Sequence, residues 1–333
     1  MSASDPREHL ARVRSLPFWC HLLALTVVLL ATMLLVGATA GFSSDESAPL
    51  LQAELLREGR GWLVDHPLFS IDPSGDGFFL TYADGGPSQW APFAKHPFYV
   101  LLLVPATAVA GVPGPVALSV LGSVLAAWAA ASIARRIDPS LAVPAFWVAG
   151  VFSPLAFDAQ LVIAHSLGAA ACGWATVVLL DAISVASAGE EDLSVARGSG
   201  SARVGSVTWW RVLVGVLLLA VAVLLRAEAL LFAAALGGVV VLASIRQRRP
   251  SLLVVAGLIV GTAAVTLGLE RWWVASIVSS DASVATAGLA GGLTVGGRVQ
   301  AALWTLVAPT GKHAAATALV ATVVAVLVVV AGV

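Results

Sequence analysis

Along the chain, apolar runs of membrane length alternate with short polar turns. Such runs fall at roughly 17–40, 115–134, 141–157, 165–185, 210–226, 228–245, 251–269 and 314–333. A helix needs about 20 mainly apolar residues to cross a bilayer. The pattern therefore predicts an all-α bundle of about eight membrane-spanning helices. A ninth apolar stretch, 97–112, is shorter and proline-rich. No repeat of fixed period is present. A long polar segment, 41–114, separates the first two spans. Within it Leu50, Leu51, Ala53 and Leu55 form a helical stripe, and Gly59 follows as a natural C-terminal stop. This predicts a short amphipathic helix along the membrane surface.

The same pattern divides the chain into a polar N-terminus, 1–16, and a transmembrane module, 17–269, that includes the loop 41–114. A second loop, 270–313, opens with Glu270-Arg271-Trp272-Trp273, and a last apolar helix follows, 314–333. That helix stops at Val333 with no polar flank, which reads as a fragment. The segment 186–208 is Ser/Gly-rich with mixed charge and reads as a flexible linker.

Composition excludes a water-soluble globule. Hydrophobic residues make up 59% and charged residues 11% of 333, with a mean hydropathy of +0.94. Soluble domains carry about a quarter charged residues, so lipid must solvate much of this chain. The net charge is −1, which points away from nucleic acid. The basic run Arg246–Arg249 directly follows an apolar run and reads as a membrane anchor. Cys20 and Cys172 stand in apolar segments without metal-ligand spacing and read as small hydrophobes that form no disulfide. Arg7, Arg12 and Arg14, an apolar run and Ala38-Thr39-Ala40 resemble a signal peptide. The run is longer than the roughly 7–15 residues of a signal core, so an uncleaved first helix is expected.

Basic residues set the expected orientation. Suppose the N-terminus is cytoplasmic and 97–112 does not cross. Then Arg7, Arg12, Arg14, Arg135, Arg136, Arg197, Arg203, Arg211, Arg246, Arg248 and Arg249 lie inside, eleven of the 18 basic residues. If 97–112 crossed, Arg135–Arg136 and Arg246–Arg249 would move outside, so the non-crossing arrangement is preferred. The expected location is a bacterial cytoplasmic (inner) membrane, and the high Ala, Val and Gly content with few Lys fits a GC-rich bacterium. Trp19, Trp209, Trp210, Trp272 and Trp273 lie near predicted helix ends, as an aromatic belt does.

Several polar groups could carry chemistry. Ser43-Ser44-Asp45-Glu46 follows the first span. Ser43-x-x-Glu46 fits a capping box, and acids in a first turn suit the helix dipole. The alternative is that Asp45 is a general base at the membrane face. Lys95-His96 precedes Pro97, either as a snorkelling anchor or as a ligand-binding pair. Arg226 lies in Leu225-Arg226-Ala227-Glu228 between two apolar runs, as a topology anchor or as a functional cation. Positions 226 and 228 do not share a helix face, which predicts no local ion pair. His165, after Asp158 and Gln160, reads either as a helix-start residue bonded to backbone or as part of a site. Ile71-Asp72-Pro73-Ser74-Gly75-Asp76-Gly77 lacks the closing Glu of a calcium loop, since Ala83 stands there, and reads as a turn. No zinc pattern, Walker loop or dinucleotide fingerprint is present.

The order of these groups carries a resemblance. Asp45-Glu46, then Ala53-Glu54-Leu55-Leu56-Arg57-Glu58-Gly59-Arg60, Asp65-His66-Pro67, Ala94-Lys95-His96-Pro97, Arg135-Arg136 and Ser153-Pro154 together resemble the glycosyltransferase C superfamily. Bacterial relatives of the protein-O-mannosyltransferases are the nearest type. The resemblance covers roughly 20–235 and rests on order more than on any single motif. It implies a membrane bundle with a large outer loop in which the apolar stretch after the Lys-Pro element does not cross. It also implies transfer of a sugar from a polyprenyl-phosphate donor to a lipid, glycan or protein acceptor outside the membrane. Asp45 matches the family's catalytic aspartate, with Glu46 beside it. Arg226 and Lys95 match donor phosphate-binding positions, and His96, Asp158 and His165 an acceptor or second-acid site. Relatives carry a Glu-His pair near the last of these, whereas Ala164 precedes His165 here, so Asp158 stands in for the second acid. No organic cofactor is implied, and the resemblance leaves room for a divalent metal. Two other readings stay open: a carrier or flippase for a lipid-linked glycan, and a non-catalytic relative in which Asp45-Glu46 only cap a helix.

Overall fold

The computed structural model describes residues 16–38, 41, 43–65, 70–71, 81–82, 89–93, 95–195 and 207–278. The expected helix 314–333, most of the loop 270–313, the basic N-terminus and the calcium-like turn lie outside the described residues. Ten α-helices are present among them: α1 Phe18–Val36, α2 Ser44–Arg57, α3 Pro97–Ala110, α4 Pro113–Ile137, α5 Ala142–Val151, α6 Leu155–Asp158, α7 His165–Val195, α8 Trp209–Leu225, α9 Ala229–Gln247 and α10 Ser251–Ile277. Five of them, α1, α4, α7, α9 and α10, are long and apolar enough to cross a membrane, as in a multi-pass membrane protein. α8, at 17 residues, is shorter.

The predicted span 141–157 is corrected to a broken segment. α5 has only 10 residues, and the chain leaves helical geometry at Phe152-Ser153-Pro154 before the single turn α6. Proline disfavours a helical residue before it and cannot donate back into the helix. Ser153 Oγ donates to the Ala149 carbonyl and accepts from the Leu155 N–H at 3.2 Å, which closes the break. The segment still runs from one end of the bundle to the other. Trp174 Nε1 donates to Leu125 O on α4, and Gly122 of α4 packs on Ser166–Leu167 of α7, so α4 and α7 run parallel. The connection between them must return the chain. Irregular backbone at such depth is tolerated only where protein surrounds and satisfies it. Ala159, Val162 and Ala164 are buried there.

α3 is a helix of only 14 residues. Tyr99, Val100 and Leu103 of α3 pack in one cluster with Val116 near the start of α4, Met33 at the end of α1 and Leu225 at the end of α8. The first turns of α3 therefore lie where α1 and α8 finish and α4 begins. α2 lies against α3 and stops as Gly59 predicts. Gly59 has φ +73°, and Arg60 N donates to Leu55 O at 2.9 Å in the closing turn. The stripe on α2 differs from expectation: Leu51 is exposed, while Glu46, Gln52, Ala53 and Leu55 are buried. Two polar side chains thus face inward.

Two further differences follow from helical continuity. α7 runs to Val195, so the first part of the expected linker is helical. α10 runs to Ile277, so Glu270-Arg271-Trp272-Trp273 are helical and do not open a loop. Its buried stripe, Leu252, Val255, Ile259, Ala263 and Thr266, continues at helical spacing to Glu270. The loop after α2 also holds a small antiparallel sheet, β1 Val64–Asp65, β2 Thr81–Tyr82 and β3 Gln89–Ala91, in the order β1-β3-β2. Strands this short carry no alternation that a sequence pattern could reveal. Cys20 and Cys172 are free and partly buried.

The main core joins α7, α8, α9 and α10, and a second cluster joins α1, α4 and α5. Arg136 of α4 bridges Asp181 of α7 at 2.6 Å at the end opposite α2. Where α4 meets α7, a Cβ on Gly122 would fall 2.6 Å from the Leu167 backbone nitrogen. We expect Gly122→Ala to lower stability by roughly 1–3 kcal/mol through this overpacking. Gly238→Ala on α9, where a Cβ meets nothing within 4 Å, should be neutral or stabilising by up to about 1 kcal/mol. Thermal unfolding of both variants in one detergent checks this.

Candidate functional site

The polar residues singled out in the sequence gather at the end of the bundle that carries α2, α3 and the α8–α9 turn. Asp45 and Glu46 open α2, with Ser43 as its N-cap. Their side chains part company at once. Asp45 is 78% exposed and faces Lys95 Nζ at 3.8 Å, with Lys95 also exposed. Glu46 is 2% exposed. Its Oε1 accepts the Val162 backbone N–H at 2.9 Å, 116 positions away, and Ser43 Oγ donates to its Oε2 at 3.4 Å. Ser43 makes no side-chain bond to the α2 backbone. The capping box thus does not form in its reciprocal shape, and Glu46 reaches across to the irregular connection before α7.

That connection is the most polar part of the interior. Ser123 Oγ donates to Leu155 O at 2.9 Å and Ser119 Oγ to Ile163 O at 3.4 Å. Tyr99 Oη is buried close to Ser119 but outside hydrogen-bond geometry. Burial, and then the nearby Glu46 carboxylate, push its phenol far above the usual range. Gln52, fully buried on α2, donates to Gly61 O at 3.3 Å and accepts from Phe93 N at 3.4 Å, tying the two ends of the long loop together.

His96 sits beside Lys95 but faces inward. Its Nδ1 lies 2.7 Å from Glu270 Oε1, and Glu270 is 2% exposed on α10. Glu270 was not among the expected site residues, because a charged residue after an apolar run reads as the start of a loop. The signal that finds it is its place on the buried stripe of α10. The pair joins the loop before α3 to α10, and near it Trp62 stacks edge-on against Trp273, with centroids 6.3 Å apart.

Arg226 corrects an expectation. It makes a two-pronged pair with Glu228, Nε to Oε2 at 3.1 Å and Nη2 to Oε1 at 3.0 Å. The helical-face argument fails because Arg226 is not helical. Its backbone is extended, at φ −152° and ψ 115°, where α8 ends, and extended backbone places i and i+2 on one side. The Arg226 stem lies over Gly168, one turn into α7. Below it His165 Nδ1 stands 3.6 Å from Asp158 Oδ2. This brings together the two residues of the expected second-acid position, with His165 facing a carboxylate rather than backbone.

Burial pushes the Glu228 carboxyl up, but its backbone hydrogen bond, Arg226 and His96 together outweigh this and hold it below the usual carboxylate range. A depressed carboxyl contributes stability above its unfolded value and loses it as pH falls through the folded one. We therefore expect Arg226→Gln to be less stable than wild type at neutral pH, by no more than about 1 kcal/mol because water screens this exposed pair. The difference should vanish as pH falls below the carboxylate range, which thermal unfolding against pH will show.

The groups form one continuous chain: Asp45 to Lys95, Lys95 to its neighbour His96, His96 to Glu270 and electrostatically to Glu228, and Glu228 to Arg226 above the start of α7. No known protein family, curated protein or solved structure matches this chain. Among the described residues no three His, Cys, Asp or Glu side chains converge as a metal site. Chemically, the arrangement offers an accessible carboxylate, exposed cations within a few side chains of it, and a histidine backed by a buried carboxylate.

Proposed function

We propose that this chain is an integral membrane glycosyltransferase of the glycosyltransferase C type. It moves a sugar, with inversion, from a polyprenyl-phosphate donor to an acceptor at the outer face of a bacterial cytoplasmic membrane. The observation that carries the reading is the assembly of Asp45, Lys95, His96 and Arg226 from three separated stretches at one end of an apolar bundle. The opposite end carries Arg135, Arg136, Arg211, Arg246, Arg248 and Arg249, which fits a cytoplasmic face. The acceptor hydroxyl needs a base, and Asp45, exposed, can reach it, whereas Glu46 is occupied inside the fold. The leaving lipid phosphate needs positive charge, which Arg226 and Lys95 supply. Arg226 would exchange Glu228 for phosphate, since a guanidinium fork fits either partner.

A carrier would place ionisable groups in a midplane cavity. Among the described residues the charged side chains of the long helices lie toward their ends, apart from Asp181 of α7, which pairs with Arg136 at the end of α4, and this favours the transferase. The test is release of polyprenyl phosphate from a labelled polyprenyl-phosphate sugar pool by membranes carrying the chain. Release above that of empty membranes supports the proposal. No release from any common donor, with folded protein present, turns the reading to a carrier or an inactive relative.

A further inference from the structure

Lys95 and His96 are neighbours in the chain, yet only His96 has a buried partner. Glu270 comes to His96 from α10, and Glu228 acts on it from the α8–α9 turn, with Arg226 beyond. Lys95 lies next to it in the chain, with Asp45 of α2 on the far side of Lys95. The Phe93 ring flanks the imidazole at 6.4 Å. His96 keeps 16% exposure, and its Nε2 has no hydrogen-bond partner among the described residues. In general, a carboxylate on one ring nitrogen orients the other and stabilises the protonated ring when it forms. Here that carboxylate is inside the protein and the opposite nitrogen is on the accessible side.

The cations already assigned cannot do everything the leaving group needs. Arginine offers charge but does not give up its proton, and a lysine ammonium, with an ordinary pKa of about 10.4, is poorly matched to a phosphate. A phosphate monoester has a second pKa of about 6 and free imidazole one of about 6.5, so a histidine is matched to proton transfer onto a departing phosphate. We propose that His96 is the proton donor to the departing lipid phosphate, with Glu270 as the positioning residue that aims it. This inference rests on the transferase reading above. In the step, the acceptor oxygen bonds to the anomeric carbon as its proton passes to Asp45. The bond from that carbon to the phosphate oxygen breaks, the electron pair leaves on the phosphate, and His96 Nε2 delivers its proton to that phosphate. One proton is taken and one is given, and solvent resets both groups.

The experiment uses the full chain in the release assay with two donors. One is the natural-type lipid phosphate. The other is its difluoromethylene-phosphonate analogue, whose departing group is a weaker base. His96→Gln is expected to lose about 100-fold in kcat with the phosphate donor and to lose the fall in rate at high pH. It should recover part of that loss with the analogue, while Asp45→Asn recovers none. Glu270→Gln should move the high-pH limb to lower pH with little change in KM, and Glu270→Asp should restore it. If His96→Gln does not fold, the same comparison is made on His96→Gln with Glu270→Gln, which keeps a neutral hydrogen-bonding pair. A histidine variant with wild-type rate and pH profile overturns the proposal, as does an equal deficit with both donors, the mark of a structural role. If Asp45→Asn abolishes release while His96→Gln does not, this inference fails and the transferase reading stands. No release by wild type from any donor removes both.

Discussion

Replacing Glu46 with alanine is expected to destabilise the protein by about 3 kcal/mol, while replacing its neighbour Asp45 with alanine should change stability by less than about 1 kcal/mol. Both acids occupy the first turn of the same helix, so local helix arguments treat them alike. Their surroundings do not. Glu46 Oε1 is 2.9 Å from the Val162 N–H, in a stretch where the chain is irregular and Val162 itself is 1% exposed. Removing the carboxylate leaves a buried amide without a partner, and a cavity beside Tyr99. Each effect alone is worth on the order of 1–3 kcal/mol. Glu46→Gln keeps an oxygen near Oε1 and should lose less than half as much. Thermal unfolding of the three variants in one detergent reads the difference, and limited proteolysis between 159 and 164 should quicken in Glu46→Ala alone. Equal stability of Glu46→Ala and wild type would mean that the tie to Val162 does not form.

This asymmetry marks how far the sequence could be read. Long apolar runs predict α1, α4, α7, α9 and α10 because a lipid bilayer requires about 20 apolar residues to cross it. The balance of arginines predicts a non-crossing α3, and α3 is a helix of only 14 residues. The pattern failed where polar groups are buried with a partner distant in sequence. Glu270 reads as a loop residue until His96, 174 positions away, is brought to it. Gln52 interrupts the apolar stripe of α2 because it bonds Gly61 and Phe93 across the long loop. The Arg226–Glu228 pair was hidden by assuming helix where the backbone is extended. In each case local periodicity is sound and long-range pairing is what it cannot contain. For the candidate site, residue type and order pointed to Asp45, Lys95, His96, Asp158, His165 and Arg226, and the structure pairs Asp45 with Lys95 and Asp158 with His165. Which of the two α2 acids faces outward depends on tertiary contacts that no spacing reveals.

The second large effect concerns that outward acid. A general base contributes about 10²–10⁴-fold to a rate, and Asp45→Asn keeps size, exposure and a hydrogen-bonding group while removing the proton acceptor. Its ion pair with Lys95, at 3.8 Å and exposed on both sides, adds little to stability, so the variant should fold as wild type does. The most direct measurement is therefore the rate of polyprenyl phosphate release from labelled polyprenyl-phosphate sugar by the full chain and by Asp45→Asn, at matched amounts of folded protein. The transferase account predicts release by wild type and a loss of at least about 100-fold in the variant. Release that proceeds equally well without the Asp45 carboxylate would contradict it.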